Sequence, residues 1–290
     1  MFFKGILVMT IKYIGIDFSG NQSSWNPTNR ESNIWIANST ENNNQLTLMA
    51  LQRVQMLDGD ARPFARLAAL LREGAYSAAA IDAPFSIPWW FFVEGIESHA
   101  ALLAEVNNFE LNDRQDFPPG RSFREIFAQR IPFDFSKPLR VTENYWRGRK
   151  VETRSPVWTG ARPGAPFASA CIKLLAQSTV PIWPFVEPNP NIPILIEAFP
   201  AAQLKHWGLP FKNYNGANGE INRQIIVNYL INNLGLIMSP ENNIIITQNA
   251  DALDAVICLY AAKAVIRGHL GRTLPPFDVY RLEGWIAVHN

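Results

Sequence analysis

Two cysteines in 290 residues, Cys171 and Cys258, are too few for a disulfide framework or a zinc cluster, and both stand among apolar neighbours. A reducing, cytoplasmic setting fits that usage. No apolar run reaches the roughly 18–20 residues of a membrane span. The opening "MFFKGILVM" is apolar but short, Lys12 soon breaks it, and no small-residue cleavage site follows, so it does not read as a signal peptide. Met9 is an alternative start, which would make the first eight residues a dispensable extension. An excess of one charge is missing too. Lys and Arg number 26 against 25 Asp and Glu, and a net charge of +1 sets up no field toward nucleic acid or an anionic membrane. There is no internal repeat and no low-complexity tract. The chain does have length and an apolar fraction of 48%, enough for the core of one large domain.

Hydrophobic periodicity places the elements. "KYIGIDFSG" (12–20) reads as a strand, and "SNIWIAN" (32–38) and "QLTLMALQRV" (45–54) as two more joined by the polar turn "STENNN", which together make an antiparallel meander. A helix is predicted over 60–74, capped by Asp60, lined on one face by Leu67, Leu70 and Leu71, and stopped by Gly74. "YSAAAIDAP" (76–84) and "IPILIEAFP" (192–200) read as buried strands. Helices follow at 200–208, with Pro200 in first position, at 218–235, and from Asn249 to Arg267. The order is β-β-β-α-β, an insertion, then β-α-α-α. This predicts an α/β fold with an RNase H-like mixed sheet flanked by helices, as one domain over 1–290. An irregular Pro-, Arg- and aromatic-rich insertion at about 86–190 separates the fourth and fifth strands.

The apolar runs end in acids: "IGID" at Asp17, "AAID" at Asp82 and "ILIE" at Glu197. Ligands of such sheets bind beyond the carboxyl ends of the strands, and neighbouring parallel strands would gather the three acids at one edge. Carboxylates so close repel unless something positive holds them. Oxygen donors of this kind suit Mg²⁺ or Mn²⁺. The last helix, "NADALDAVICLYAAKAV", adds Asp251 and Asp254 on one face, with the small residues Ala255, Cys258 and Ala262 below them to let it approach the sheet. Such a set serves two-metal phosphodiester hydrolysis, with the cations about 3.5–4 Å apart. Each acid also has a plainer reading. Asp251 can serve the helix dipole, Asp82 can be a turn residue before Ala-Pro, Glu197 can pair with an arginine of the insertion, and Asp17 can belong to a phosphate-binding turn.

Residues 121–173 hold eleven Lys or Arg against four acids, with Tyr145, Trp146 and Trp158 interleaved. Basic residues mixed with aromatics suit a nucleic-acid strand, and a solvated insertion is the alternative. Arg147, Arg149 and Lys150 are candidate substrate contacts, as is Lys212 in the loop "FKNYNGANGE" (211–220). His206 reads as a surface histidine.

The motifs "GIDFSG", "IDAPFSIP", "IEAFPAAQL", "ADALDAVICLYAA" and "LEGWI" together resemble the domain of unknown function 429 family, predicted nucleases of RNase H-like fold. The pattern is also similar to RuvC-type resolvases, in which acids occupy the first strand, the fourth strand and, twice, the last helix. That resemblance implies metal-ligating roles for Asp17, Asp82, Asp251 and Asp254. Glu197 is shared with the first family only, and the resolvases carry Glu at the position of Asp82. "RVTENYWRGR" resembles a family motif that makes Arg140 a candidate phosphate clamp. The expectation is a Mg²⁺- or Mn²⁺-dependent nuclease acting on DNA or RNA. Its rivals are an actin-like ATP-dependent phosphotransferase, suggested by "DFSG", and a non-catalytic nucleic-acid-binding or scaffold protein of the same fold.

Overall fold

This computed structural model describes residues 10–92, 94–108, 139–157, 168–189, 191–271, 274 and 277–290. Met9, Arg121, Arg124, Arg130, Lys137, Trp158 and Arg162 lie outside them. Six strands form one mixed sheet in the order β3-β2-β1-β4-β6-β5: β1 (Ile11–Asp17), β2 (Trp35–Asn42), β3 (Gln45–Arg53), β4 (Ala78–Asp82), β5 (Ile182–Trp183) and β6 (Ile194–Ala198). β1, β2 and β3 are an antiparallel meander, whereas β4 runs parallel to β1, and β6 runs parallel to both β4 and β5. The mixed sheet flanked by helices is the architecture expected from the sequence. The hairpin is tighter than expected: strand pairing continues to Asn42, and only Asn43 and Asn44 turn, both at positive φ. A two-residue turn of that geometry matches the twist of its strands, and Asn tolerates it better than most residues. β5 was not expected, because two residues carry no periodicity.

Helix α1 (Pro63–Glu73) starts later than its sequence suggests. Pro63 fixes the first helical position and Arg62 precedes it without a side-chain cap, so Asp60 is not the cap and stands exposed upstream. Gly74 ends the helix in the left-handed conformation, as expected. Leu67 and Leu71 are buried and Leu70 is half-buried. Within the insertion lie α2 (His99–Asn107), α3 (Val141–Gly148) and α4 (Ala168–Ser178). After β6 come α5 (Pro200–His206), α6 (Glu220–Asn232), α7 (Pro240–Gln248), α8 (Ala250–Arg267) and α9 (Phe277–Glu283). Helix α7 was not expected. Ser239 caps it by accepting from the Asn242 N–H, and Pro240 opens it. The strand-like segment before it covers the outer edge of β3, where the Ile237 carbonyl accepts from the Leu48 N–H and the Ile237 N–H donates to the Leu46 carbonyl, so that edge is not left open.

The sheet separates two apolar cores. α8 and α6 pack with Tyr13, Ala78, Ala80 and Ile196 on one face, and α1 and α4 pack with Ile14, Ile16, Ala79 and Leu195 on the other. The sequence of α8 explains its closeness to β1. A Cβ on Gly15 would land on the Ala255 carbonyl oxygen, far inside contact distance, so only glycine lets the helix backbone lie against that strand. No single helix among the described residues is long and apolar enough to cross a membrane.

Candidate metal centre

β1 and β4 are in register, with Asp17 opposite Asp82. Side chains alternate between faces along a strand. Asp17 therefore shares the face of Tyr13 and Gly15, Asp82 shares that of Ala78 and Ala80, and both project toward α8. Asn249 caps α8 by accepting from the Ala252 N–H at 2.9 Å, which starts the helix just ahead of its acids. Asp254, one turn in, meets the strand-end pair. Carboxylate oxygens of Asp17, Asp82 and Asp254 lie within 4.8 Å of one another. Asp251 stands outside this trio, near enough for its charge to act on all three.

The electrostatics are those of a site short of positive charge. Burial, then repulsion from Asp254, Asp251 and Asp82, pushes Asp17 well above the usual carboxylate range. Burial, then Asp82, does the same to Asp254 against the opposing hydrogen bond from Tyr214. Asp82 is pushed up to about 7 by burial, then by Glu197 and Asp251. Burial raises Asp251 while Arg53 pulls it back down. Without a cation the cluster must retain protons.

Glu197 does not join the trio. In the parallel ladder it sits opposite Ile81, one residue out of phase with Asp82, so it projects from the other face of the sheet. There it accepts from the Phe85 N–H at 3.1 Å and pairs with Arg140. It makes the pairing with an arginine of the insertion that the sequence offered as the alternative, while it lines the same cleft as Asp82 and Asp254. The same contacts overturn the phosphate-clamp expectation for Arg140. That side chain is fully buried, and its five N–H donors go to Glu143, Glu197 and the Glu283 carbonyl. Glu283 accepts in turn from the Trp89 and Val141 N–H groups. The network therefore ties the insertion and the chain's end to β6.

A cleft of about 560 Å³ opens beside the acids, lined by Asp82 and Asp254 together with Glu152, Arg154, Lys212 and Tyr214. Tyr214 was not singled out from the sequence. It is buried, and its hydroxyl donates to Asp254 Oδ1 at 2.9 Å. Its loop is held by Arg223, which donates to the carbonyls of Tyr214, Gly216 and Thr247. A Cβ on Gly219 would strike the Tyr214 backbone, so that glycine is also required. The available signal was a tyrosine among the polar residues Lys212, Asn213 and Asn215.

Lys212 is exposed at the cleft rim. Arg147, Arg149 and Lys150 are exposed around the end of α3. Arg147 donates to the Thr153 carbonyl in the cleft wall, and Arg149 stacks over Tyr145 at 3.6 Å. Trp146, expected as a stacking aromatic, is buried in a core with Val151 and Ile286 and faces no substrate. His206 is exposed, as expected.

Neither the curated proteins nor the solved structures contain a match to this chain. A family's sequence model does match, over residues 15–278, which takes in the trio, Asp251, Tyr214 and Arg140. On that match the chain belongs to the family described as "Protein of unknown function (DUF429)".

Proposed function

We propose that this protein is a Mg²⁺- or Mn²⁺-dependent hydrolase that cuts phosphodiester bonds of DNA or RNA. The observation that carries the reading is the convergence of the Asp17, Asp82 and Asp254 oxygens to within 4.8 Å of one another. Hard oxygen donors select such cations over softer metals. A bound cation would polarise a phosphoryl oxygen and lower the pKa of a water. The chain's own residues do the rest. Tyr214 holds one oxygen of Asp254, which fixes how the carboxylate faces its neighbours. Asp251, a turn earlier, supplies the further carboxylate that a second cation would need. Lys212, Arg147, Arg149 and Lys150 offer exposed charge for substrate phosphates. The buried free thiols Cys171 and Cys258 suit a reducing cytoplasm.

The phosphotransferase reading gains nothing from the turn after β1. There the Ser19 carbonyl accepts from Trp25 and its hydroxyl from the Asn21 N–H, so the turn is closed upon itself. The deciding experiment is a cleavage time course with Mg²⁺ or Mn²⁺ on single strands, duplexes and branched junctions. Wild-type protein should cut at least one of them, and Asp17→Asn should lose that activity by orders of magnitude. Wild-type protein inert on all of them sinks the proposal.

A further inference from the structure

The cleft beside the acids limits what can reach them. Its volume is about 560 Å³, within the roughly 300–1,000 Å³ of pockets that take one small molecule. A cube of that volume is about 8 Å on edge, narrower than the roughly 12 Å major groove of a duplex and far narrower than the duplex itself. Asp17 and Asp254 are each only 7% exposed, so the acids are recessed and a phosphate has to come to them. A phosphate on the convex outside of a paired duplex cannot enter without bringing the partner strand along. A nucleotide released from its partner can.

Two chain segments line the way in. One is 152–156, where Glu152 and Arg154 are exposed on either side of buried Thr153, and Arg147 fastens the segment through the Thr153 carbonyl. The other is the loop 211–216, with Lys212 exposed at the rim. The Lys212 ammonium lies 5.6 Å from the centre of the Phe211 ring and makes no ion pair among the described residues. Its loop is held in place. Arg223 donates to the Tyr214 and Gly216 carbonyls, and Asn222 donates to the Asn213 carbonyl at 3.2 Å. A charge positioned before the ligand arrives loses less freedom on binding.

We propose that the substrate is an unpaired strand, whose scissile nucleotide enters the cleft alone while Lys212 holds a phosphate of the next nucleotide at the rim. This rests on the phosphodiester reading of the same site. The test uses the full chain in Mn²⁺ and one sequence, made as DNA and as RNA, in three forms: a single strand, its perfect duplex, and a duplex with a central unpaired bubble. Wild-type protein should cut the single strand and the bubble at least about a hundredfold faster than the duplex, because extruding a paired nucleotide is costly. Cuts in the bubble substrate should fall at unpaired positions. Lys212→Ala should raise KM for the single strand roughly tenfold and lower its salt slope by about one, yet keep the Mn²⁺ shift in melting temperature. A duplex cut as fast as the single strand, or cuts in the paired arms of the bubble substrate, overturns this inference and leaves the hydrolase reading standing. Lys212→Ala with unchanged KM and salt dependence overturns the role of Lys212. Wild-type protein that cuts none of the three forms overturns the hydrolase reading and takes this inference with it.

Discussion

Replacing Asp17 by Asn should make the metal-free protein more stable and the metal response weaker. The size follows from the titration of the cluster. Asp82 moves from the usual 3.8 to about 7 on folding, about three units at roughly 1.4 kcal/mol each, or on the order of 4 kcal/mol shared with its coupled neighbours. The folded value is the higher one. The penalty is therefore absent below about pH 4, where both states are protonated, and complete above about pH 7, so metal-free stability falls as the pH rises between them. A cation offsets that penalty, and at a hundred times its apparent dissociation constant the net linkage is about 2.7 kcal/mol. At about 2 °C per kcal/mol for a chain of this size, that is roughly 5 °C. Melting curves in chelator and in Mn²⁺, at pH 5 and pH 8, test this. The wild-type shift should be larger at pH 8, because protons compete for the same oxygens at pH 5. Asp17→Asn should melt a few degrees higher than wild type in chelator at pH 8 and gain little from Mn²⁺. An Asp17→Asn protein that melts lower in chelator and keeps the full Mn²⁺ shift would refute the reasoning.

Substitutions elsewhere test the supports of the site. Tyr214→Phe deletes the hydrogen bond to Asp254 and should cost roughly tenfold or more in Mn²⁺ affinity, read by titration, with the fold intact by circular dichroism. Gly15→Ala drives a methyl into the Ala255 carbonyl and should destabilise by at least about 3 kcal/mol in urea, whereas Gly216→Ala, with open space around its Cβ position, should be nearly neutral. Arg140→Met leaves Glu143 and Glu197 buried without their partner and should cost about 3–5 kcal/mol; adding Glu143→Gln and Glu197→Gln should restore much of it.

Much of the centre was legible because it depends on patterns that sequence carries directly. Strands that end in Asp, a helix whose acids recur at i and i+3, and small residues beneath them are local signals, and α8 formed with the expected cap at Asn249 and stop at Gly268. Glu197 was misplaced for a different reason. Ending a strand says nothing about phase against its neighbour, and one residue of register sends a side chain to the opposite face. Arg140 looked available because its partners Glu197 and Glu283 are distant in sequence. Tyr214 was overlooked since it has no motif around it; it is recruited by a loop that Arg223 closes. Helix α7 had a readable start in Ser239 and Pro240, but its apolar residues mark no clear face, and of them only Ile246 is buried.

The central claim, that Asp17, Asp82 and Asp254 hold a divalent cation, is tested most directly by a crystal grown or soaked in Mn²⁺ and measured for anomalous scattering. The account predicts a peak among these three side chains, with carboxylate oxygens at about 2.1 Å, Asp251 beside it and Glu197 still paired with Arg140. Well-diffracting crystals with no peak at the trio in millimolar Mn²⁺, or a peak only elsewhere, would contradict it.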